Sequence, residues 1–215
     1  MPSLAVLFKL TGSSCGGKTT LAVAVKESLD PQIELHDFDE VGVPEIPSST
    51  WRVRTTEQWV RAAIDLQGEG RHVLLTGQTP LGELLAVPSA PQLDGIAVCL
   101  VDVADGERTT RLAERGSSHP GANLESLINW AAWHRQHAAD PRARQQVIVR
   151  DDWPEMAWQR WTHWERGDPR WVVETIDTTA VPLKESSEEV LAWVNRQLAS
   201  WRDGTLPLRP GWEHG

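Results

Sequence analysis

The chain has 215 residues and a hydrophobic content of 40%, which is enough for a buried core and excludes a disordered polymer. Its formal net charge of -9 argues against a nucleic-acid partner or an anionic membrane surface, because both require clustered Lys and Arg. No run approaches the roughly 20 apolar residues of a membrane span. Cys15 and Cys99 show neither disulfide nor metal-ligand spacing, so we expect a cytoplasmic protein.

A glycine-rich loop near the N-terminus is the most specific motif. It matches G-x-x-x-x-G-K-[ST] and lies between an apolar run at 4–10 and an amphipathic helix pattern at 20–29. A strand, a loop and a helix in this order turn backbone N–H groups and the positive helix end toward one point, which suits a polyphosphate. The loop residues that we expect to bind ATP are Gly12, Ser13, Ser14, Cys15, Gly16, Gly17, Lys18, Thr19 and Thr20. Lys18 would reach the β- and γ-phosphates, and the Thr19 hydroxyl would ligate Mg²⁺.

Two aspartates follow the second predicted strand, over 32–36. The carboxyl ends of parallel strands meet at the edge of the sheet where ligands bind, and the glycine loop lies at the same edge. One of Asp37 and Asp39 would hold a Mg²⁺-bound water, and the other would accept the proton of an attacking hydroxyl. The alternative is a solvated acidic turn, with Asp39 capping a short helix.

The Pro- and Ser-rich segment 42–56 is predicted as a loop, followed by a helix that a Thr55/Gln58 capping box starts and that ends near 68–70. Aromatic and basic side chains late in this loop are candidates for binding an acceptor substrate. It is equally typical for such aromatic side chains to pack into the core and for such basic side chains to lie on the solvent-exposed surface. They are Trp51, Arg52 and Arg54.

Gln78 follows the third predicted strand, over 72–76. Many phosphate-loop proteins carry an acidic residue after this strand to position Mg²⁺. Because this chain has a glutamine there, we assign the positioning of Mg²⁺ to Asp37 and Asp39. Gln78 is then a candidate hydrogen-bonding partner for the substrate.

A fully apolar run over 96–103 predicts a strand buried on both faces, and a helix from Asp105 to Gly116 follows it. Arginines at i, i+3 and i+7 lie along one side of this helix, at Arg108, Arg111 and Arg115. Such a stripe would stack on a base and neutralise a transferring phosphoryl group, or it would be a solvated face paired to nearby glutamates.

Residues 117–170 are predicted as a helical insertion with helices over 123–138 and 154–165. Seven of the twelve tryptophans lie within it or directly after it. The insertion would fold over the phosphates as a lid and carry Arg135, Arg142 or Arg144 inward, or it would form a homodimer surface, because aromatic residues are common in both.

A last strand over 171–177 precedes a loop over 178–182 and a closing amphipathic helix, which a Ser186/Glu189 capping box starts. The tail 203–215 contains prolines and glycines, so we expect it to be loosely held. We find no internal repeat and no linker, so residues 1–215 are predicted to form a single domain.

This order of parts resembles the small phosphate-loop kinases, which include adenylate, shikimate, gluconate and nucleoside kinases. The loop GSSCGGKTT, the acidic strand end and the early proline most resemble the antibiotic phosphotransferases that act on chloramphenicol. That branch implies Asp37 as general base. Shikimate kinase-like members imply instead Asp37 for Mg²⁺ and Asp39 for the substrate hydroxyl, and both assignments stay open.

The resemblance also implies a three-layer α/β sandwich with a five-stranded parallel sheet of order 2-3-1-4-5 and a helical lid. The segment CLVDVADGERTTRLAERG implies that Arg111 and Arg115 face the nucleotide. The segment IDTTAVP implies that a loop packs against adenine through backbone contacts. The residues of that loop are Thr178, Thr179, Ala180 and Val181.

These observations together predict an ATP-dependent phosphotransferase that moves the γ-phosphate to a hydroxyl of a small organic molecule. The resemblance implies an antibiotic or other natural product as acceptor. A nucleoside or nucleotide is the alternative, with Arg52 and Arg54 binding the acceptor's own phosphate. A different class is an ATP-driven sensor without an acceptor. A GTP-dependent switch is disfavoured because the sequence has no N-K-x-D motif.

Overall fold

A parallel sheet forms the centre of the molecule in a computed structural model that describes residues 5–115 and 124–214. Its five strands are β1 (Leu7–Thr11), β2 (Ile33–Asp37), β3 (His72–Thr76), β4 (Ile96–Asp102) and β5 (Val173–Asp177). They lie in the order β2-β3-β1-β4-β5, and every neighbouring pair is parallel. The predicted strand order is therefore confirmed.

Helices cover both faces of the sheet. They are α1 (Lys18–Val25), α2 (Ser49–Gly68), α3 (Leu81–Ala86), α4 (Asp105–Glu114), α5 (Leu124–Ala139) and α6 (Leu183–Arg202). Short 3-10 turns lie at Lys26–Ser28, Phe38–Val41, Ala90–Gln92, Gln145–Val147, Trp158–Arg160 and Trp212–His214. No helix among the described residues is long and apolar enough to cross a membrane. The predicted end of α4 at Gly116 lies outside the described residues.

Alternation along the strands divides the core into two clusters, because successive side chains point to opposite faces of a sheet. Leu7 packs with the helices α2, α3 and α5 on one face, whereas Phe8 and Leu10 pack with α1 and α6 on the other. All seven residues of β4 are buried, as expected of a strand covered on both sides.

Helix α2 begins earlier than the sequence predicts. The Ser48 side chain accepts a hydrogen bond of 3.0 Å from the Trp51 backbone N–H and caps the helix, so Thr55 lies buried inside it. Ser48 and Thr55 both carry an N-cap signal, and the upstream one sets the start. Trp51, Arg52 and Arg54 therefore lie on the first turns of α2 rather than on a loop.

The predicted helix over 154–165 is wrong, because this segment is a series of turns held against α3. The Ala157 N–H donates to Ala86 O at 2.7 Å, and the Arg160 guanidinium donates to Leu85 O at 3.1 Å and to Val87 O at 2.6 Å. These bonds satisfy carbonyls at the end of α3, so tertiary contacts override helical propensity.

Three of the six tryptophans in the predicted insertion belong to the buried core. Trp133, Trp161 and Trp164 are at most 1% exposed and belong to the same core cluster as the apolar residues of α3. Side chains that are fully buried within one chain are not free to form a homodimer surface, so that interpretation is wrong for these three. The role of 117–170 as a lid stays a prediction, and residues 117–123 of this region lie outside the described residues.

The expectation of a loosely held tail is also wrong for the part that the structure describes. Leu206, Leu208 and Trp212 are buried, and Leu208 forms an antiparallel bridge with Ile96. Burial of these large apolar side chains outweighs the local freedom that the prolines and glycines suggest.

Candidate active site

The loop 12–17 joins β1 to α1 and lies against the end of β4. A Cβ at Gly12 would lie 2.4 Å from Val101 O, and a Cβ at Gly16 would lie 2.7 Å from the same atom. Gly12 also has a φ of 133°, in the region that L side chains rarely adopt. Only glycine therefore allows the loop to approach β4 this closely.

Lys18 is the first residue of α1, and its side chain folds back over the loop. Its Nζ donates a hydrogen bond of 2.8 Å to Ser13 O, and the side chain is buried. Burial, together with the nearby Arg108 charge, lowers the pKa of Lys18 to about 8. A polyphosphate in this loop would offset that loss of solvation, because it supplies the opposite charge at the amine.

Thr19 and Asp37 meet at the mouth of α1. Asp37 Oδ2 accepts hydrogen bonds from Thr19 Oγ1 at 2.9 Å and from Thr76 Oγ1 at 2.7 Å, and Asp37 Oδ1 accepts one from the Asp39 N–H at 3.0 Å. Burial raises the pKa of Asp37, but these hydrogen bonds outweigh it, so the pKa lies below its ordinary value. Asp37 is therefore a carboxylate held beside the threonine hydroxyl.

This donor set fits Mg²⁺. A hydroxyl and a carboxylate are hard oxygen ligands, and Mg²⁺ in proteins takes one or two of these and completes its shell with waters and phosphates. No group of three or more His, Cys, Asp and Glu side chains that could hold a metal occurs within 5–115 and 124–214. Phosphate oxygens would therefore have to complete the site.

Gln78 and Arg52 line the cleft next to the loop. Gln78 Nε2 donates to Ser14 Oγ at 3.3 Å, and its Oε1 accepts from Trp130 Nε1 at 3.0 Å. The Arg52 guanidinium donates to both carboxylate oxygens of Glu83, with 2.8 Å between Nε and Oε2, and lies 5.2 Å from the Trp130 ring centroid. Glu83 is fully buried on α3, so it holds Arg52 in place.

A single cleft of about 1680 Å³ joins these groups. The predicted site residues that line it are Ser14, Cys15, Gly17, Lys18, Thr19, Thr20, Asp37, Asp39, Trp51, Arg52, Gln78, Arg111, Arg115, Thr178 and Val181. Parts of the chain that are far apart in sequence thus share one opening. Gly12, Ser13 and Gly16 shape the loop from behind, and Thr179 and Ala180 flank the lining residues of their own loop.

Two predicted substrate-binding arginines do not line the cleft. The Arg54 guanidinium lies 5.7 Å from the Trp153 ring centroid on the outer side of α2. Arg135 donates to Asp102 Oδ2 at 3.0 Å and to both carboxylate oxygens of Asp105, at 2.9 and 3.0 Å. Because these partners hold both side chains elsewhere, neither of the two arginines contributes to the cleft.

The arginines at 108 and 111 on α4 and at 115 just after it have different surroundings, although they lie along one side. Arg108 is 1% exposed, pairs with Asp102 and donates to Ser14 O, so it supports the glycine loop from behind. Arg111 lines the cleft, and it donates to Thr178 Oγ1 at 2.9 Å and to Thr178 O at 2.8 Å. Arg115 lines the same part of the cleft.

Thr178 links the last loop to the phosphate loop. Its hydroxyl lies 3.1 Å from Gly16 O and 3.0 Å from Asp102 O. With the bonds from Arg111, this contact joins the predicted adenine loop, α4 and the glycine loop into one wall of the cleft.

Lys9 is a charged residue of this region that the sequence analysis did not single out. It lies on β1, is 1% exposed, and its Nζ has no hydrogen-bond partner within the described residues. The Nζ lies 5.3 Å from the Phe38 ring centroid and 2.7 Å from the place where a Cβ of Gly77 would lie. Burial, together with the Lys18 charge, lowers the pKa of Lys9 to about 7. The sequence signal that could have identified Lys9 is a lysine within an otherwise apolar strand pattern.

Comparisons with known proteins show which known fold the chain shares. The chain matches no protein-family model and no curated protein sequence. It is similar to an unliganded sugar kinase from Janibacter sp. HTCC2649, with 16% identity, 90% of this chain and 95% of that chain covered, and a TM-score of 0.53. It is also similar to a gluconokinase from Sinorhizobium meliloti 1021, with 18% identity, 95% and 98% covered, and a TM-score of 0.51. The fold is that of the P-loop kinases.

Proposed function

We propose that the protein is an ATP-dependent phosphotransferase that moves the γ-phosphate to a hydroxyl of a small organic molecule. The observation that carries the proposal is the convergence of Lys18, Thr19 and Asp37 on one cleft, with 2.9 Å between the Thr19 hydroxyl and the Asp37 carboxylate. The similarity in fold to a sugar kinase and a gluconokinase supports it.

The nucleotide half of the cleft would bind ATP. Backbone N–H groups of the loop and the Lys18 amine would hold the phosphates, while Arg111 and Arg115 would neutralise charge on the transferring group. Thr19 and Asp37 would hold Mg²⁺, which supplies further charge neutralisation when it is bound. Phosphoryl transfer needs mainly alignment and charge neutralisation, and these residues provide both.

The environment of Asp37 favours one of the two open assignments. Three hydrogen bonds hold its carboxylate in the ionised form and lower its pKa, which makes it a weaker base and a better metal ligand. We therefore assign Asp37 to Mg²⁺ and Asp39, which also lines the cleft, to the proton of the acceptor hydroxyl. The alternative, with Asp37 as the base, predicts that Asp37→Asn abolishes turnover but leaves the Mg²⁺ dependence of ATP binding unchanged.

For the acceptor itself we propose an antibiotic or other natural product, as the resemblance of the loop GSSCGGKTT implies. The test is acceptor-stimulated ADP release over a panel of hydroxyl compounds. We expect Lys18→Ala to abolish the stimulated rate, because loss of a critical cation costs about 10³ to 10⁵ in phosphoryl transfer. Lys26→Ala is the matched control, since Lys26 is exposed in the 3-10 turn that follows α1.

Two results would contradict this function. A Lys18→Ala variant that keeps the wild-type rate, with an unchanged circular dichroism spectrum, would exclude the mechanism. ATP binding without any acceptor-stimulated ADP release would favour the ATP-driven sensor instead.

A further inference from the structure

The two halves of the cleft differ in charge. The nucleotide half presents Lys18, Arg111 and Arg115. We define the acceptor half as the lining residues 37–39, 43–49, 51–52 and 77–78. Its charged members are the carboxylates of Asp37, Asp39 and Glu45 and a single cation, Arg52, among the residues that the structure describes.

The charge of Arg52 already has a partner. Both carboxylate oxygens of Glu83 accept hydrogen bonds from its guanidinium, and Glu83 is 0% exposed. A bidentate pair of this kind is among the stronger charge-assisted contacts in proteins. An anionic acceptor would therefore compete with a buried carboxylate for the one guanidinium of this half, and Glu83 would be left buried without a partner.

No other Lys or Arg of the described residues lines the acceptor half. Phe38 and Gly77 cover the Lys9 amine, which is inaccessible from the cleft. Arg54 lies over Trp153 on the outside of α2. The sequence of the remaining stretches, 1–4, 116–123 and 215, contains no Lys or Arg, so these residues add no guanidinium or lysine amine either.

Apolar surface completes this half. The Trp51 ring lies edge-on to Phe38 at 5.8 Å, and both line the cleft. Val43 and Ile46, at 49% and 85% exposed, line its mouth. Large apolar side chains left exposed at the rim of a pocket are typical of surfaces that a ligand covers.

We propose that the acceptor of this site is an uncharged or amine-bearing hydroxyl compound with apolar surface, and that acceptors carrying a carboxylate or phosphate are rejected. The proposal rests on the proposed phosphotransfer and narrows it. It disfavours a nucleotide as acceptor. Arg52 and Arg54 would have to bind the acceptor's phosphate, but Arg52 is paired with Glu83 and Arg54 lies over Trp153.

The test compares matched acceptors that differ in charge. ADP release is measured with thymidine against thymidine 5′-monophosphate, with glucosamine and glucose against gluconate, and with a hydroxyl-compound library sorted into neutral, amine-bearing and anionic sets. We expect every acceptor that is turned over to be neutral or amine-bearing, with kcat/KM at least about 100-fold above its anionic counterpart, because anions meet like charge and no free cation. Preferred turnover of an anionic member would overturn the inference and leave phosphotransfer standing.

Variants test the electrostatic cause. Glu45→Lys on the exposed rim should raise kcat/KM for the anionic set relative to the neutral set by about 10-fold, and Glu83→Gln should do so more strongly, because it releases Arg52. Glu69→Lys, exposed at the other end of α2, is the matched control with unchanged selectivity. Unchanged selectivity in folded Glu45→Lys and Glu83→Gln would overturn the inference. ATP binding without turnover of any set would remove the proposed function, and the inference with it.

Discussion

Replacing Lys9 by methionine should stabilise the protein while leaving its packing almost unchanged. The amine is buried on β1 without a hydrogen-bond partner among the described residues, and its pKa is lowered from 10.5 to about 7. In the unfolded chain the amine is solvated and stays protonated up to its ordinary pKa. The difference corresponds to about 4 kcal/mol of unfolding free energy at pH 7 that the native protein gives up by burying this group.

The pH dependence identifies the cause. Between pH 7 and 10.5 the unfolded state binds more protons at Lys9 than the native state, so wild-type stability rises with pH in this window. Lys9→Met removes the proton and the slope together. Its advantage should be about 4 kcal/mol at pH 7 and about 2 kcal/mol at pH 9, and it should vanish near pH 10.5.

Denaturant unfolding of both proteins at pH 7, 8 and 9 measures this difference. Lys26→Met, at an exposed position, is the control and should show no pH-dependent gain. A Lys9→Met variant that is less stable than wild type, or a gain that does not shrink with pH, would refute the reasoning.

Three further outcomes follow from named contacts. His137 stacks on Trp133 with 4.6 Å between ring centroids, and burial lowers its pKa to about 3. The contribution of His137 to the unfolding free energy should therefore fall as the pH drops from 6.5 toward 3, by about 2 kcal/mol at pH 5, and urea titrations of His137→Gln should show this part of the pH dependence removed. Trp161→Ala should lower the unfolding free energy by about 3 to 5 kcal/mol in the same assay, because Trp161 is 0% exposed in the core. Thr19→Val should raise the Mg²⁺ concentration needed for half-maximal ADP release, because it removes one proposed Mg²⁺ ligand and the 2.9 Å hydrogen bond to Asp37. An unchanged Mg²⁺ requirement would contradict the assignment of Thr19 as a ligand.

The strands and the phosphate loop could be predicted from sequence because local patterns determine them. A parallel strand buried on both faces is a continuous apolar run, as in β4, and the loop needs glycine wherever Val101 O comes close. Thr19 and Asp37 could be placed at one sheet edge because the carboxyl ends of parallel strands meet there. These features depend on neighbours in the chain and on sheet geometry.

The remaining features depend on contacts that no local pattern encodes. The start of α2 could not be predicted because two N-cap signals, Ser48 and Thr55, compete within eight residues. The turns over 154–165 exist because their backbone and Arg160 bond to the end of α3, which is far away in sequence. An arginine is equally able to meet a ligand or a carboxylate, so the partner of Arg52 is visible only in three dimensions.

The carboxylate of Asp102 binds two of the arginines near the cleft, Arg108 and Arg135. It accepts from Arg108 and Arg135 at the end of β4, and Arg108 also reaches Ser14 O, so one buried anion fixes the glycine loop, α4 and α5 together. Removing one member of a buried ion pair typically costs about 3 to 5 kcal/mol, and Arg108 is the buried partner here, so we expect a structural role for Arg108. Arg135 is more exposed and is held by Asp102 and Asp105. Under the proposed function, charge neutralisation of the transferring phosphoryl group would fall to Lys18, Arg111, Arg115 and Mg²⁺. The loop proposed to bind the phosphates would then be positioned by Arg108, which bonds to it at Ser14 O, and such pre-organisation is what phosphoryl transfer requires.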